Sequence, residues 1–323
     1  MRDMVEEGDN DAILSELGTL QVEFRYLAQK SQIIKYEEKS MKALQIMKKN
    51  NPGNGLFPIK VSIVDGSFTD NYITFGALGD SFYEYLLKVW IQGNKKEMWL
   101  REMYDKAING VIDLLLKASE PSGLAFLSDW TGTSTVRKMD HLVCFMPGIL
   151  TLGSHTDPEG PGSVRARRDL ALAKALMYTC YQMYEKQKTK ISPEFVEFPE
   201  HSNSDMIVTT APFYILRPET AESLFVMHQI TNDPIYREWS WNIWESINKY
   251  CRTDIAFGAL HDVNDINGGI DDRMESFFLA ETLKYLYLTQ DPDNIIDLDK
   301  YVLNTEAHPM RIFNDSHIPI PSH

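Results

Sequence analysis

Apolar side chains recur at steps of three and four along most of this chain, the period that aligns one face of an α-helix. Ile13, Leu17, Leu20, Phe24 and Leu27 set the pattern. A second amphipathic stretch covers residues 32–49, until Asn50, Asn51, Pro52 and Gly53 break it. Together they predict a helical hairpin. Further helical patterns cover residues 81–92, 96–118, 140–152, 165–185, 218–231, 234–249 and 274–289. Alternation with a period of two is confined to residues 56–64 and 195–198, which read as short hairpins at helix ends.

A faint echo runs through the chain. Residues 27–36, 227–236 and 287–294 each end a helical pattern in a short polar turn, twice containing Asp-Pro, before another segment begins. Such an echo predicts stacked helical hairpins, either in an open solenoid or in a closed toroid. No Pro/Gly/Ser-rich linker divides residues 1–323, so the sequence predicts a single all-α domain.

Composition narrows the partners. The chain is 43% hydrophobic and 24% charged, with no apolar run long enough to span a bilayer. Its formal net charge of −14 argues against nucleic acid and anionic membranes, which are bound through clustered Lys and Arg. Residues 1–10 are acidic and carry neither the basic nor the apolar region of a signal peptide, which by itself predicts the cytosol. Asn314, Asp315 and Ser316 form an N-glycosylation triplet of the kind that arises often by chance. Cys144, Cys180 and Cys251 match no metal spacing; composition alone reads them as buried thiols, with a disulfide as the alternative.

Several carboxylates could carry chemistry. Pro218 suits the first position of a helix, with Arg217 as its cap. Glu219 and Glu222 then fall on one face near the positive end of the helix dipole, a placement that helix stability alone also favours. Asp80, following Gly76 and Gly79, reads as a second helix start or a plain cap. Phe277 and Glu281, four apart, place a ring beside a carboxylate, which suits a sugar, although core packing of the ring is an equal reading. Asp262, Asn264, Asp265, Asn267 and Gly268 look like a calcium loop but offer its oxygen ligands in neither register, so they read as a polar loop. Tyr236, Trp239 and Ile243 read as a core stripe rather than a sugar platform.

Five segments then give these carboxylates a family. LRPETAES at residues 216–223 resembles a signature of the class I α-1,2-mannosidases, glycoside hydrolase family 47. So do GALGDSFYEYLLK at 76–88, KMDHLVCF at 138–145, MESFFLAETLKYLYL at 274–288 and NTEAHP at 304–309, all in family order. The resemblance implies an (α/α)7 toroid of helical hairpins that binds a terminal mannose of a high-mannose N-glycan above a calcium ion and hydrolyses it with inversion. By the family pattern Glu219 matches the general base and Asp80 a second catalytic carboxylate. Thr305 matches the direct calcium ligand, with Glu222, Glu281 and Glu306 acting through water. Arg217, Glu16, Glu194, Phe277, Glu281, Glu222 and Leu78 match positions lining the glycan pocket. Cys144 and Cys180 match the family's disulfide pair, which implies the lumen of the endoplasmic reticulum or Golgi rather than the cytosol.

Two departures stand out. Leu78 occupies a place where endoplasmic-reticulum enzymes usually carry arginine and Golgi-type enzymes leucine. The family's upstream segment, with a Phe-Glu-(Ser/Thr)-x-x-Arg-like motif whose glutamate is the usual candidate acid, has no match in residues 1–10; the chain joins the pattern at about Ala12. The expectation is therefore a toroid lacking its first hairpins, and the alternative to a mannosidase is a glycan-binding relative without that acid.

Overall fold

The computed structural model describes residues 11–314. The acidic stretch at residues 1–10 and two of the three residues of the N-glycosylation triplet lie outside them. Among the described residues ten α-helices run in sequence: α1 (Leu14–Gly18), α2 (Gln21–Ser31), α3 (Lys35–Lys49), α4 (Asp80–Gln92), α5 (Met98–Gly110), α6 (Met146–His155), α7 (Val164–Glu185), α8 (Glu219–Thr231), α9 (Pro234–Tyr250) and α10 (Leu283–Gln290). Among the described residues every strand is two or three residues long and every sheet is two-stranded.

The described residues form two compact units. The first holds the chain as far as Leu116, with Ser128–Val136 and the residues from Leu298 onward; the second holds Lys117–Leu127 and Arg137–Asp297. In the first, α2 packs on α3 and α4 on α5, while α2 also touches α4. The second repeats the scheme: α6 packs on α7 and α8 on α9, and α8 lies against both α6 and α10. Within each unit the even-numbered helices thus pack on one another, and each odd-numbered helix from α3 to α9 lies on the even one before it.

The sequence shows why. Residues Phe82 to Gln92 of α4, Met146 to Ser154 of α6 and Thr220 to Met227 of α8 are buried on every side. By contrast, α3 buries one stripe, Glu37, Met41, Leu44 and Met47, and α9 buries Tyr236, Ser240, Ile243, Ser246 and Ile247. A helix covered all round needs no polar face, whereas one covered on a single side does.

Some expectations shift. The stripe from Ile13 to Leu27 does not form one helix: Ile13 ends a strand paired with Lys60–Ser62, and the chain breaks between α1 and α2. Leu20 and Leu27 are exposed, and the buried face of α2 is Gln21, Val22, Arg25 and Ala28. An arginine at the centre of that face defeats a purely apolar template. Arg25 is fully buried, with Nε 3.1 Å from Glu37 Oε1, Nη2 2.9 Å from Glu97 Oε2 and Nη1 donating to the Val89 carbonyl at 2.8 Å. The pattern over residues 96–118 ends earlier, in a π-helical turn at Val111–Leu115 followed by a strand. A second π-helical turn, Phe278–Thr282, precedes α10 and carries Glu281; Phe278 rather than Phe277 is the core ring.

Candidate active site

In the second unit the site is organised around the start of α8. Leu216, buried and in the left-handed region at φ 68°, turns the chain into Arg217, Pro218 and Glu219. Its carbonyl accepts a hydrogen bond from Thr282 Oγ1 at 2.6 Å, which helps hold this unfavourable conformation. Pro218, not Arg217, is the helix cap, and Glu219 is the first helical residue. Arg217 is thereby free to point its guanidinium elsewhere.

It meets Glu194 as a two-pronged pair, Nε to Oε2 at 2.6 Å and Nη2 to Oε1 at 2.5 Å. Its third nitrogen, Nη1, lies 4.0 Å from Glu219 Oε1. The other oxygen of Glu219, Oε2, is 2.6 Å from His141 Nδ1. On the far side of that ring, Nε2 is 2.7 Å from Tyr184 Oη and 3.1 Å from Thr220 Oγ1. Burial alone would raise the Glu219 carboxyl, but the hydrogen bond with His141 and the charge of Arg217 hold it below its ordinary value. For Arg217, desolvation works to lower the pKa, yet the hydrogen bond to Glu194 and the charges of Glu219 and Glu194 outweigh it and push the pKa up. A carboxylate kept ionised, half-buried and oriented on one oxygen can accept a proton on the other.

Two further carboxylates of this unit, Glu222 and Glu281, are buried, and Phe277 is half-buried. Cys144 and Cys180 form the expected disulfide, while Cys251 is a buried free thiol whose pKa burial raises to about 12. Trp239 stacks on Tyr181 with centroids 4.4 Å apart, between the buried Tyr236 and Ile243, as the core-stripe reading expects. In the polar loop, Asn264 spends its side chain on the backbone N–H of Lys188 and on Gln187.

The first unit carries the other candidates. Asp80 opens α4 and accepts from the Ser81 N–H at 2.8 Å; Gly79 is the cap. Leu78 is exposed and left-handed at φ 77°, and its carbonyl accepts from the N–H of Ser15. Glu16 is an exposed residue of α1, which packs on α4. A strand pair, Tyr301–Leu303 with Pro309–Arg311, presents Thr305 and the exposed Glu306 at its tip. The Thr305 N–H donates to Tyr85 Oη at 3.2 Å, and its hydroxyl donates to Glu84 Oε2 at 3.0 Å. Glu23 Oε1 accepts from Tyr85 Oη and from Asn304 Nδ2, each at 2.7 Å. Its second oxygen is buried with no hydrogen-bond partner among the described residues.

Sequence reasoning passed over His141, Tyr184, Glu23 and Glu84. His141 and Glu84 stood inside quoted motifs, but nothing in spacing alone distinguishes a buried partner of a carboxylate from any other core residue.

The sequence pattern of Glycosyl hydrolase family 47 matches residues 2–312. The chain belongs to that family. The match begins ten residues ahead of Ala12, where the motifs alone placed it. The chain is 43% identical over 304 residues to a mannosyl-oligosaccharide 1,2-alpha-mannosidase of Arabidopsis thaliana, covering 94% of this chain and 52% of that protein. It is 41% identical over 315 residues to the endoplasmic reticulum mannosyl-oligosaccharide 1,2-alpha-mannosidase of Mus musculus, covering 94% and 46%. It therefore spans about half the length of the curated relatives it matches. Its fold superimposes on the alpha-1,2-mannosidase from Trichoderma reesei with a TM-score of 0.86 at 29% identity, covering 95% of this chain and 67% of that one. The all-α hairpin fold expected for (α/α)7 family 47 enzymes is borne out. No helix among the described residues is long and apolar enough to cross a membrane.

Proposed function

We propose that this chain provides the residues of a family 47 α-1,2-mannosidase that removes terminal mannose from high-mannose N-glycans in the lumen of the endoplasmic reticulum or Golgi. The observation that carries the reading is the Glu219 carboxylate, ionised and oriented between His141 and Arg217. Glu219 takes the proton from a water that attacks the sugar carbon with inversion, a general acid of the whole enzyme gives a proton to the leaving oxygen, and Asp80 is the second catalytic carboxylate. Arg217 and Glu194 form a rigid polar fork whose remaining guanidinium N–H groups and carboxylate lone pairs suit sugar hydroxyls. Glu16, Phe277 and Leu78 are proposed to line the glycan pocket. Residues 1–323 are taken as one catalytic domain.

Calcium fits the first unit's tip. Thr305 gives its hydroxyl proton to Glu84, which leaves hard oxygen lone pairs for a cation. The orphaned Glu23 oxygen nearby, on the same Tyr85 and Asn304 network, asks for a water or ion. Thr305 with waters is the proposed ligand set of that calcium. Glu306, beside Thr305, is the proposed carboxylate around those waters, and Glu222 and Glu281 are proposed as water-mediated calcium carboxylates from the family resemblance alone. When bound, the ion supplies positive charge that orients sugar hydroxyls and water.

The test is mannose release from a high-mannose glycan with and without chelator. Calcium-dependent glycan binding without release would favour the non-catalytic reading and remove the enzyme.

A further inference from the structure

His141 touches Glu219 with one ring nitrogen, so the state of the other nitrogen decides what Glu219 meets. Imidazole is a donor at one nitrogen and an acceptor at the other when neutral, and which is which follows from its second partner. An ionised carboxylate only accepts, so Nδ1, 2.6 Å from Glu219 Oε2, must carry a proton. Nε2 faces Tyr184 Oη at 2.7 Å and Thr220 Oγ1 at 3.1 Å.

Tyr184 is the nearer of these two hydroxyl groups to the ring nitrogen. It is 2% exposed and packs edge-on to both His141, at 5.7 Å between centroids, and Tyr214, at 6.4 Å. The disulfide sets their spacing. Cys144 stands three residues after His141 in the 3₁₀ turn His141–Phe145, where residues three apart eclipse. Cys180 stands four residues before Tyr184 on α7, on the same helix face. With the two cysteine Cα atoms 5.8 Å apart, the bond clamps both elements one turn from the His141–Tyr184 contact. Burial also raises the Tyr184 phenol, so its proton is there to be donated.

We infer that Tyr184 is a positioning residue: its hydroxyl donates to His141 Nε2 and locks the ring as the neutral Nδ1–H tautomer aimed at Glu219 Oε2. Oε1, on the Arg217 side, is thereby the oxygen left to accept a proton from water. The tautomer lock stands on these contacts with an ionised Glu219, and only its consequence for turnover rests on the proposed role of Glu219.

Long-range 1H–15N spectra of the full chain labelled at histidine read the tautomer directly. His141, assigned by the signals absent from His141→Gln, is expected to show a protonated Nδ1 and a bare Nε2 near neutral pH. Tyr184→Phe should lose that single-tautomer pattern and Thr220→Val should keep it. A wild-type proton on Nε2, or on both nitrogens, overturns the proposal whether or not any variant folds. So does a Tyr184→Phe pattern identical to wild type. In mannose release, Tyr184→Phe should lower kcat about tenfold with KM unchanged, a modest part of a general base's worth. An inactive chain with the expected spectra would remove the proposed function and leave the tautomer lock standing.

Discussion

Arg217 and Glu194 face each other as matched forks, with both prongs within 2.6 Å, while the third guanidinium nitrogen of Arg217 stands 4.0 Å from Glu219. One arginine thus braces a proposed substrate carboxylate and biases the proposed base. Replacing it with lysine keeps the charge but loses the planar fork. Arg217→Lys is expected to raise KM more than it lowers kcat. Arg217→Met should also shift the acid limb of kcat/KM to higher pH. As the proposed base Glu219 works deprotonated, its folded pKa is depressed, and removing a positive neighbour raises that pKa. An acid limb that does not move would separate Arg217 from Glu219.

The buried triad of Arg25, Glu37 and Glu97 makes a stability prediction. Arg25→Met takes a buried cation from beside two buried carboxylates, a loss on the order of 3–5 kcal/mol. Denaturant unfolding measures it, and a change below about 1 kcal/mol would mean that the network behaves like a surface pair.

Much of the fold was legible because helical periodicity survives wherever one face is wet, as in α3 and α9. It was less legible at the start of the chain, where a charged residue, Arg25, occupies the buried face and apolar Leu20 and Leu27 point outward. The proposed base was visible as Glu219 in its motif, as was Arg217. His141, Tyr184 and Glu23 were not, because a hydrogen bond between residues 43, 62 or 78 positions apart leaves no local pattern.

Asp205 accepts from Ser119 Oγ and the Ser122 N–H, both at 2.8 Å, and from Lys186 Nζ at 3.0 Å. Desolvation would raise its carboxyl, but these partners together depress it to about 2. A depressed carboxylate contributes stability above its unfolded value of about 3.8 and loses it as pH falls toward 2. Asp205→Asn should therefore cost about 1.5–3 kcal/mol near neutrality. That difference from wild type should shrink as unfolding is measured at lower pH; a constant difference would deny the linkage.

The Cys144–Cys180 bond closes a loop with a sequence separation of 36. Chain-entropy scaling gives such a crosslink about 4 kcal/mol. The Cys144→Ala, Cys180→Ala double variant should show that loss in denaturant unfolding, and wild type in reductant should approach it. Equal stability of oxidised and reduced chains would contradict the prediction.

Glu219→Gln tests the central claim most directly. It keeps the shape of the side chain and its place between His141 and Arg217 but cannot take a proton from water. Mannose release from a high-mannose glycan in calcium is expected to fall by about 10²–10⁴-fold, with glycan binding and calcium dependence of binding retained. Release undiminished in Glu219→Gln would contradict the account.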